Sequence, residues 1–357
     1  FRGVGMCGIN GIYSFSEPLE RNIISSMNKD IAHRGPDAEG EFVDEGIQLG
    51  HRRLSIIDTS ASSNQPFYSK DKRYVLVFNG EIYNYKSIRE DLKSDYQFVT
   101  SGDTEVVLAA YLKYGVKCLR AFNGMFAFAI WDNKKKSLFI ARDRVGIKPL
   151  YYSLSNSKII FSSSPIAILN TGFVDRKISN EGLIDYLRYQ TVHAPRTILK
   201  DVKALMPGYY IISNEEKTEF KSYYNLVTDS VTFKGDVHEA HEMIREEFKA
   251  SVQRRLVSDV PFGAFLSGGI DSSLVVAGMA ENHDDTIKTF AVSFEEDEFS
   301  EAKYAKMIAD KYSTDHTEII LSVNEFKTLI PDALEKMDHP SGDGLNTYVV
   351  AKIGRAV

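Results

Sequence analysis

"VPFGAFLSGGIDSS", residues 260–273, marks the point where the character of the chain changes. Ala264 to Leu266 read as a short buried strand. Ser267, Gly268 and Gly269 follow. Asp271, Ser272 and Ser273 then open a helix that continues through Leu274, Val275 and Val276. Two adjacent glycines let the backbone take positive φ and approach a ligand closely. The helix start adds unpaired N–H groups and the positive end of a dipole, which together make an anion cradle. Ser267, Ser272 and Ser273 contribute hydroxyl donors, and Asp271 beside a phosphate is placed to help hold Mg2+. A serine-capped turn is the plainer reading of the serine and two glycines alone. The strand before them and Asp271, Ser272 and Ser273 after them favour the cradle. No Gly-Lys-Ser/Thr is present, so this is not the lysine-bearing phosphate loop.

Around this stretch, strand and helix patterns alternate. "VHEAHEMIREEFKASVQRRLV" (237–257) places Ile244, Phe248 and Val252 four apart, the spacing of an amphipathic helix. "KTFAVSF" (288–294), "EAKYAKMIADKYS" (301–313) and "TEIIL" (317–321) read as strand, helix, strand. Such alternation predicts an α/β domain with a parallel sheet. The earlier half differs. "YVLVFNG" (74–80), "FAFAIWD" (126–132), "SLFIARD" (137–143), "KIIFSSSP" (158–165) and "GYYIISNEEKTEFKSYY" (208–224) are β-type runs bounded by turn residues. Among them lies the helical pattern "TEVVLAAYLKYG" (104–115), with Val106, Ala109, Ala110 and Lys113 at helical spacing. The polar, turn-prone "TDSVTFKGD" (228–236) reads as the linker. The expected domains are residues 6–215 and 230–357.

Composition sets outer bounds. A chain of 357 residues suits two domains, and 43% hydrophobic with 26% charged residues is ordinary globular content. A net charge of −6 leaves no basic footprint for nucleic acid. No apolar run reaches bilayer length. "FRGVG" (1–5) is too short for a secretory signal and lacks its apolar centre. Two cysteines imply no disulfide framework and fit a reducing cytosol. Cys118, at the end of an apolar helical pattern, reads as a buried structural thiol.

Five segments of the first half look like amidotransferase parts: "MCGINGIY" with Cys7, "AHRGPDAEG" and "GHRRLSIID" with Arg34 and Arg53, "FNGEIYNY" with Asn79, Gly80 and Glu81, and "SGDTEVV" with Asp103. Each has a task if the substrate is glutamine. Arg53 can pair the α-carboxylate through a bidentate fork. Asp103, with Glu81, can take the α-ammonium. Asn79 and the Gly80 N–H can form an oxyanion hole, and Cys7 is the nucleophile. By themselves Asn79 and Gly80 make a good hairpin turn, and Arg53 reads as a surface or salt-bridge residue. His33 and His51 read as structural, and His316, Asp338 and His339 lack metal-ligand spacing. With no dedicated histidine, the base for the thiol would be the α-amine of Cys7 itself, were Cys7 the first residue.

The whole chain resembles the glutamine-hydrolysing asparagine synthetases. The resemblance is carried by "MCGINGIY", "HRGPDAEG", "GHRRLSIID", "FNGEIYNY", "SGDTEVV", "NGMFAFAIWD", "ARDRVGIKPLYY", "APRTILKDVKALMPGYY" and "VPFGAFLSGGIDSS". It implies an α+β glutaminase of layered antiparallel sheets with flanking helices, followed by an α/β parallel-sheet ATP-pyrophosphatase domain. It implies that Cys7 releases ammonia from glutamine through a glutamyl thioester. At the second site, ATP and Mg2+ would turn aspartate into an acyl-adenylate. Ammonia, passing inside the protein, would displace AMP to give asparagine. It places ATP on Leu266, Ser267, Gly268, Gly269, Asp271, Ser272 and, through backbone, Val292, with Asp271 toward the metal. It implies a cytoplasmic enzyme with glutamine, aspartate and ATP as ligands and, as relatives often show, a homodimer. Another carboxylate, such as a polysaccharide uronic acid or a peptide carboxylate, is the rival acceptor. A β-lactam-forming relative fits less well, since Cys7 is intact. A non-catalytic binding relative has no use for so polar a set.

Three departures from the family pattern stand out. Residues precede Met6, whereas the family exposes Cys7 by removing methionine, so Met6 is the expected start. The sequence stops before the glycine-rich acidic segment that closes the ATP site in the family, so the chain is expected to be a fragment, with "SGDG" (341–344) a loop. Ser164 stands where the family commonly has glutamate.

Overall fold

The computed structural model describes residues 6–294, 301–342 and 344–354. They form two compact units: one runs through Ser230 and takes in Met337–Gly342, the other holds Val231–Lys336 and the residues from Gly344 onward. The boundary between Ser230 and Val231 lies inside the polar stretch 228–236.

The strands of the first unit are, in chain order, β1 (Gly8–Ser14), β2 (Ala38–Asp44), β3 (Ile47–Arg53), β4 (Phe67–Tyr68), β5 (Tyr74–Ile82), β6 (Gly124–Asp132), β7 (Ser137–Arg142), β8 (Tyr151–Leu154), β9 (Lys158–Ser162), β10 (Lys203–Ala204), β11 (Tyr209–Ser213) and β12 (Thr218–Ser222). They build two antiparallel sheets, in the orders β10-β8-β9-β1-β3-β2 and β12-β11-β7-β6-β5-β4. β12 pairs with β11 and so carries the second sheet past residue 215.

Alternation along the strands explains the layering. Ile9 and Tyr13 of β1 and Ile159 and Phe161 of β9 enter the core between the sheets, where they meet Val75, Val77, Ala129, Trp131 and Ile140. Their neighbours Ile12 and Ile160 face the other way and pack on Ile24, Met27, Ile31 and Ile168, from the helices Ile23–Asp30 and Pro165–Leu169 and the residue after the first. With both faces covered, β1 is buried over its whole length. Each fully buried aliphatic side chain contributes about 1.5–3 kcal/mol of transfer free energy. On the outer face of the second sheet, Tyr111 stacks on Phe139 with ring centroids 5.0 Å apart. Tyr111 belongs to the helix Asp103–Tyr114, whose residues 103–110 are all buried. The layers therefore run helix, sheet, sheet, helix, as the resemblance implies. Cys118 is fully buried, and desolvation pushes its thiol well up.

The second unit has a parallel sheet, β13 (Gly263–Phe265), β14 (Lys288–Phe294) and β15 (Asp315–Leu321), in that order. Parallel neighbours need crossovers, here the helices Ile270–Asn282 and Ala302–Lys311. The helix Val237–Arg255 starts on a capping box between Asp236 and Glu239. Only its later part meets the core. Val252 is buried with Phe248 packed beside it, but Ile244 is 62% exposed. The predicted apolar face is thus shorter than its spacing suggested. Ser341 and Gly342 are irregular and Gly344 opens a helix, Gly344–Gly354, while Asp343 lies outside the described residues.

Candidate active site

Cys7 stands just before β1, the strand between β9 and β3. The strand pairs Gly8 with Arg52, which brings the thiol to the end of β3. Cys7 Sγ lies 3.4 Å from the Leu54 carbonyl, to which it donates, and 3.3 Å from the Leu54 N–H. Desolvation raises the thiol above its usual range, against the opposing pull of the Leu54 N–H, Lys148 and Arg53. At rest, then, Cys7 is a thiol rather than a thiolate.

The other sheet supplies the facing wall. β5 runs straight through Asn79 and Gly80, opposite Ala127 and Phe126 of β6, so these two residues are not a hairpin turn. Gly80 is required for close strand approach: a Cβ there would sit 2.2 Å from the Met125 carbonyl oxygen. Asn79 is 1% exposed, and neither of its amide atoms has a hydrogen-bond partner among the described residues. Leaving a buried amide unsatisfied costs roughly 1–3 kcal/mol. The unsatisfied amide belongs to the lining of the cleft that also holds Cys7. Gln65 braces the strand just before it, donating to the Phe78 carbonyl at 3.1 Å and accepting the Phe78 N–H at 2.6 Å.

Arg53 is 5% exposed at the end of β3. One Nη donates to Ser60 O at 2.8 Å and Asn64 Oδ1 at 2.7 Å, the other to the Asp58 carbonyl. All three acceptors are neutral. Of the five guanidinium N–H groups, two on the Nε side remain for a carboxylate, and the charge is unopposed by these contacts. The loop around Asp58 holds that geometry: its carboxylate accepts the Ser60 hydroxyl and the Ser101 N–H, which hold it well below the usual carboxylate range despite partial burial.

Asp103 begins the helix Asp103–Tyr114, and its carboxylate accepts the Ile82 N–H at 2.9 Å. Burial raises its pKa to about 7, with Glu81 adding to the effect. Two residues on, Glu105 ties the preceding loop to the helix start, accepting the Thr100 N–H and hydroxyl at 2.7 Å each.

Cys7, Arg53, Asn79, Gly80, Glu81 and Asp103 line one cleft of about 60 Å³. Met6 and Lys148 share that lining and were not singled out by sequence reasoning. Lys148 lay within the quoted "ARDRVGIKPLYY", but nothing in the residue types of that run marks one cation above the others. A second missed feature is Asp338. Its carboxylate pairs with Arg34 at 2.7 Å, and Arg34 Nε reaches the Cys7 carbonyl at 3.4 Å. No histidine appears in the cleft among the described residues. His51 is buried against the Phe78 carbonyl at 3.1 Å, and desolvation lowers its pKa to about 3, so it is neutral and structural. Ser164 is 3% exposed and precedes the helix Pro165–Leu169.

In the second unit, β13 leads into the loop Ser267–Gly269 and the helix Ile270–Asn282. Gly268 has φ +82°. A Cβ there would lie 2.6 Å from Tyr304 Cβ and 2.7 Å from the Ala305 nitrogen, so only glycine fits. Leu266 is buried and its N–H bonds to the Phe290 carbonyl of β14 at 2.8 Å. Ser267 Oγ lies 3.0 Å from Ser272 Oγ, and Ser273 Oγ donates to the Gly269 carbonyl at 2.7 Å. Asp271 is exposed in the first turn of the helix, and Val292 is half-buried near the C-terminal end of β14. Ligands of open parallel sheets bind at such strand ends. Among the described residues no group of three or more His, Cys, Asp or Glu side chains gathers in a metal-binding arrangement.

Residues 6–224 match the model of the glutamine amidotransferase domain and residues 243–355 that of asparagine synthase. The chain is 38% identical to asparagine synthetase [glutamine-hydrolyzing] 1 of Bacillus subtilis, over 97% of this chain and 55% of that protein. It is 37% identical to a putative asparagine synthetase [glutamine-hydrolyzing] 2 of Methanocaldococcus jannaschii, over 98% of this chain and 72% of that protein. It is 36% identical to the amidase chyE of Penicillium rubens, over 82% of this chain and 47% of that protein. The chain thus spans about half the length of the first of these relatives.

Proposed function

The chain belongs to the glutamine-hydrolysing asparagine synthetase family, and we propose that it releases ammonia from glutamine at Cys7 and joins it to a carboxylate activated with ATP at the Ser267–Ser273 loop. The observation that carries the first half is the unsatisfied Asn79 amide in the cleft of Cys7, Arg53 and Asp103.

Glutamine would lie with its α-carboxylate on Arg53 and its α-ammonium on Asp103 and Glu81. Cys7 Sγ forms a bond to the side-chain amide carbon, and the carbonyl electron pair moves onto oxygen, toward Asn79 Nδ2 and the Gly80 N–H. The thiol proton goes to a base, which returns it to the leaving nitrogen as ammonia departs. Water then hydrolyses the glutamyl thioester to glutamate. With His51 neutral and distant in role, the base is the α-amine Cys7 gains once Met6 is cleaved off. Its ordinary pKa of about 7.7–8.0 suits the task. Met6 also forms part of the cleft wall, so its removal widens a cavity that is small for an amino acid.

At the second site the Gly268 turn and the start of the helix Ile270–Asn282 would cradle the ATP phosphates. Leu266, Ser267, Gly269 and Ser272 surround them, and backbone near Val292 would meet the adenine. Asp271 would hold Mg2+, which supplies neutralising charge to the phosphates. The acceptor carboxylate displaces pyrophosphate to form an acyl-adenylate, and ammonia displaces AMP. Aspartate is the acceptor the family name favours. Because a relative of nearly equal identity is named an amidase, another carboxylate is the second reading.

The test follows glutamate and pyrophosphate release by the full gene product, processed at Met6, with aspartate present or omitted. Aspartate-dependent pyrophosphate release and loss of glutamate release in Cys7→Ala are expected. Pyrophosphate release that ignores aspartate would sink the asparagine assignment. Glutamate release that survives Cys7→Ala would sink the role of Cys7.

A further inference from the structure

Lys148 is a buried cation without an obvious structural purpose. Its residue is 6% exposed, although lysines normally extend their ammonium into water. Its Nζ has the Met6 thioether, at 3.7 Å, as hydrogen-bond partner, and a thioether is a weak acceptor. Burying an ammonium with so little compensation is costly, so the fold must hold it by force.

The loop that does so is built on two further charged residues. Asp143 is fully buried. It accepts the N–H groups of Val145 and Ile147 on one oxygen, and those of Lys148 and Phe126 on the other, at 2.9–3.2 Å. Arg142 donates to the carbonyls of Lys148, Gly146 and Leu205 at 2.6–2.8 Å. Every strong contact of this pair fixes backbone of residues 142–148 or its immediate neighbours. The product is a lysine whose ammonium is held in the lining of the Cys7 cleft.

We propose that the Lys148 ammonium is the standing positive charge of the Cys7 centre, stabilising the thiolate and the negative charge that passes from sulfur to the amide oxygen during attack. The inference rests on Cys7 being the glutaminase nucleophile. The groups that act on the thiol are Lys148 from the loop after β7, Arg53 from β3 and Asp103 from the helix start, with Lys148 ahead of Arg53. Glu81 from β5, Arg34 and Asp143 act in turn on Lys148, and burial lowers its own pKa. Bound glutamine changes this balance. Its carboxylate neutralises Arg53, and its ammonium offsets one negative charge of the Asp103 and Glu81 pair. Lys148 is then the cation in the cleft lining whose charge the ligand does not offset. As the S–C bond forms and the carbonyl electrons move onto oxygen, the charge stays near the same ammonium, while the thiol proton sits on the α-amine. Lys148 thus acts through charge, not by forming a bond.

The experiment measures carbamidomethylation of Cys7 by iodoacetamide against pH, read by mass spectrometry on the Cys7 peptide, in the Met6-processed protein. Lys148→Met should move the midpoint up by about one pH unit, the low end for loss of a neighbouring opposite charge. Glutaminase kcat at pH 7 should fall about tenfold with little change in KM. Lys148→Arg should restore both. An unmoved midpoint in folded Lys148→Met overturns the proposal. If that variant does not fold, the wild type still decides. Alkylating Cys7 removes the thiolate, so by reciprocity the Lys148 titration, followed by 13C labelling at Cε, must move down. An unchanged Lys148 titration overturns the proposal as well. Glutamate release by Cys7→Ala, in contrast, would refute the glutaminase reading and leave the two titrations as they are.

Discussion

Cys7 meets its partners across two sheets, whereas Ser267 meets Ser272 and Gly269 within one turn of chain. The cleft draws on the approach to β1, the end of β3, the middle of β5, the start of the helix Asp103–Tyr114 and the loop after β7. Desolvation moves its titratable groups: the Cys7 thiol up and Asp103 up to about 7. The loop is local and open. Ser267, Gly269 and Asp271 are exposed, and its shape comes from one glycine with positive φ. The comparison teaches that two candidate sites in one chain can be built by different means. The cleft uses low dielectric and long-range placement, so single charges there carry large effects. The loop uses backbone N–H groups and a helix start, whose strength depends on geometry more than on any one side chain.

Gly268→Val tests the geometric side most severely. A side chain at φ +82°, 2.7 Å from the Ala305 nitrogen, cannot keep the loop. Residues forced into this region cost about 1–3 kcal/mol, and the clash adds to that. Pyrophosphate release should be lost while glutamate release from glutamine continues, measured on the same preparation. Parallel loss of both would break the contrast between a local and an assembled site. Asn79→Ala comes next. Glutaminase kcat should fall about 10²- to 10³-fold, as when an oxyanion donor is removed. Thermal stability should hold or rise, because an unsatisfied buried amide has gone. A matching drop in melting temperature would mean that Asn79 holds the fold instead.

Asp103→Asn is the mildest and most informative. Burial lifts the folded carboxyl to about 7, above its ordinary value of 3.8. Its protonated form is therefore favoured by folding. That stabilisation is fully present below pH 3.8 and is lost as pH rises through about 7. The variant should melt higher than wild type at pH 8 and equal to it near pH 3.5. In the wild type, KM for glutamine should rise as pH falls through 7, since a neutral carboxyl no longer holds the α-ammonium, and in Asp103→Asn this dependence should vanish at a KM about tenfold higher. A wild-type KM that is flat across pH 6–8 would place the ammonium elsewhere.

Much of this was legible in the sequence, and the reasons differ by residue. The loop at 267–273 could be read directly, because strand, glycines and helix start are contiguous and each has its own local cause. The strands β5, β6, β7 and β9 followed from runs of β-branched and aromatic residues bounded by turn residues. Asn79 and Gly80 did not. Their local signal is a hairpin turn, and pairing with Ala127 and Phe126 overrides it. Ile244 has helical spacing but no core to meet. Asp338 reaches Arg34 over a sequence separation of 304, a distance no local pattern encodes.

By itself, then, the sequence determined the two-part architecture and the family, and it named Cys7, a glutamine-shaped set of polar residues and a phosphate-type loop as candidates. Tertiary structure alone decided which of those groups share a cleft, that Asn79 lines it without a hydrogen-bond partner among the described residues, and that Lys148 joins the lining. The physical reason is that hydrogen-bonded local forms are written in neighbouring residues. Desolvation and charge proximity depend on the packing of elements far apart in the chain.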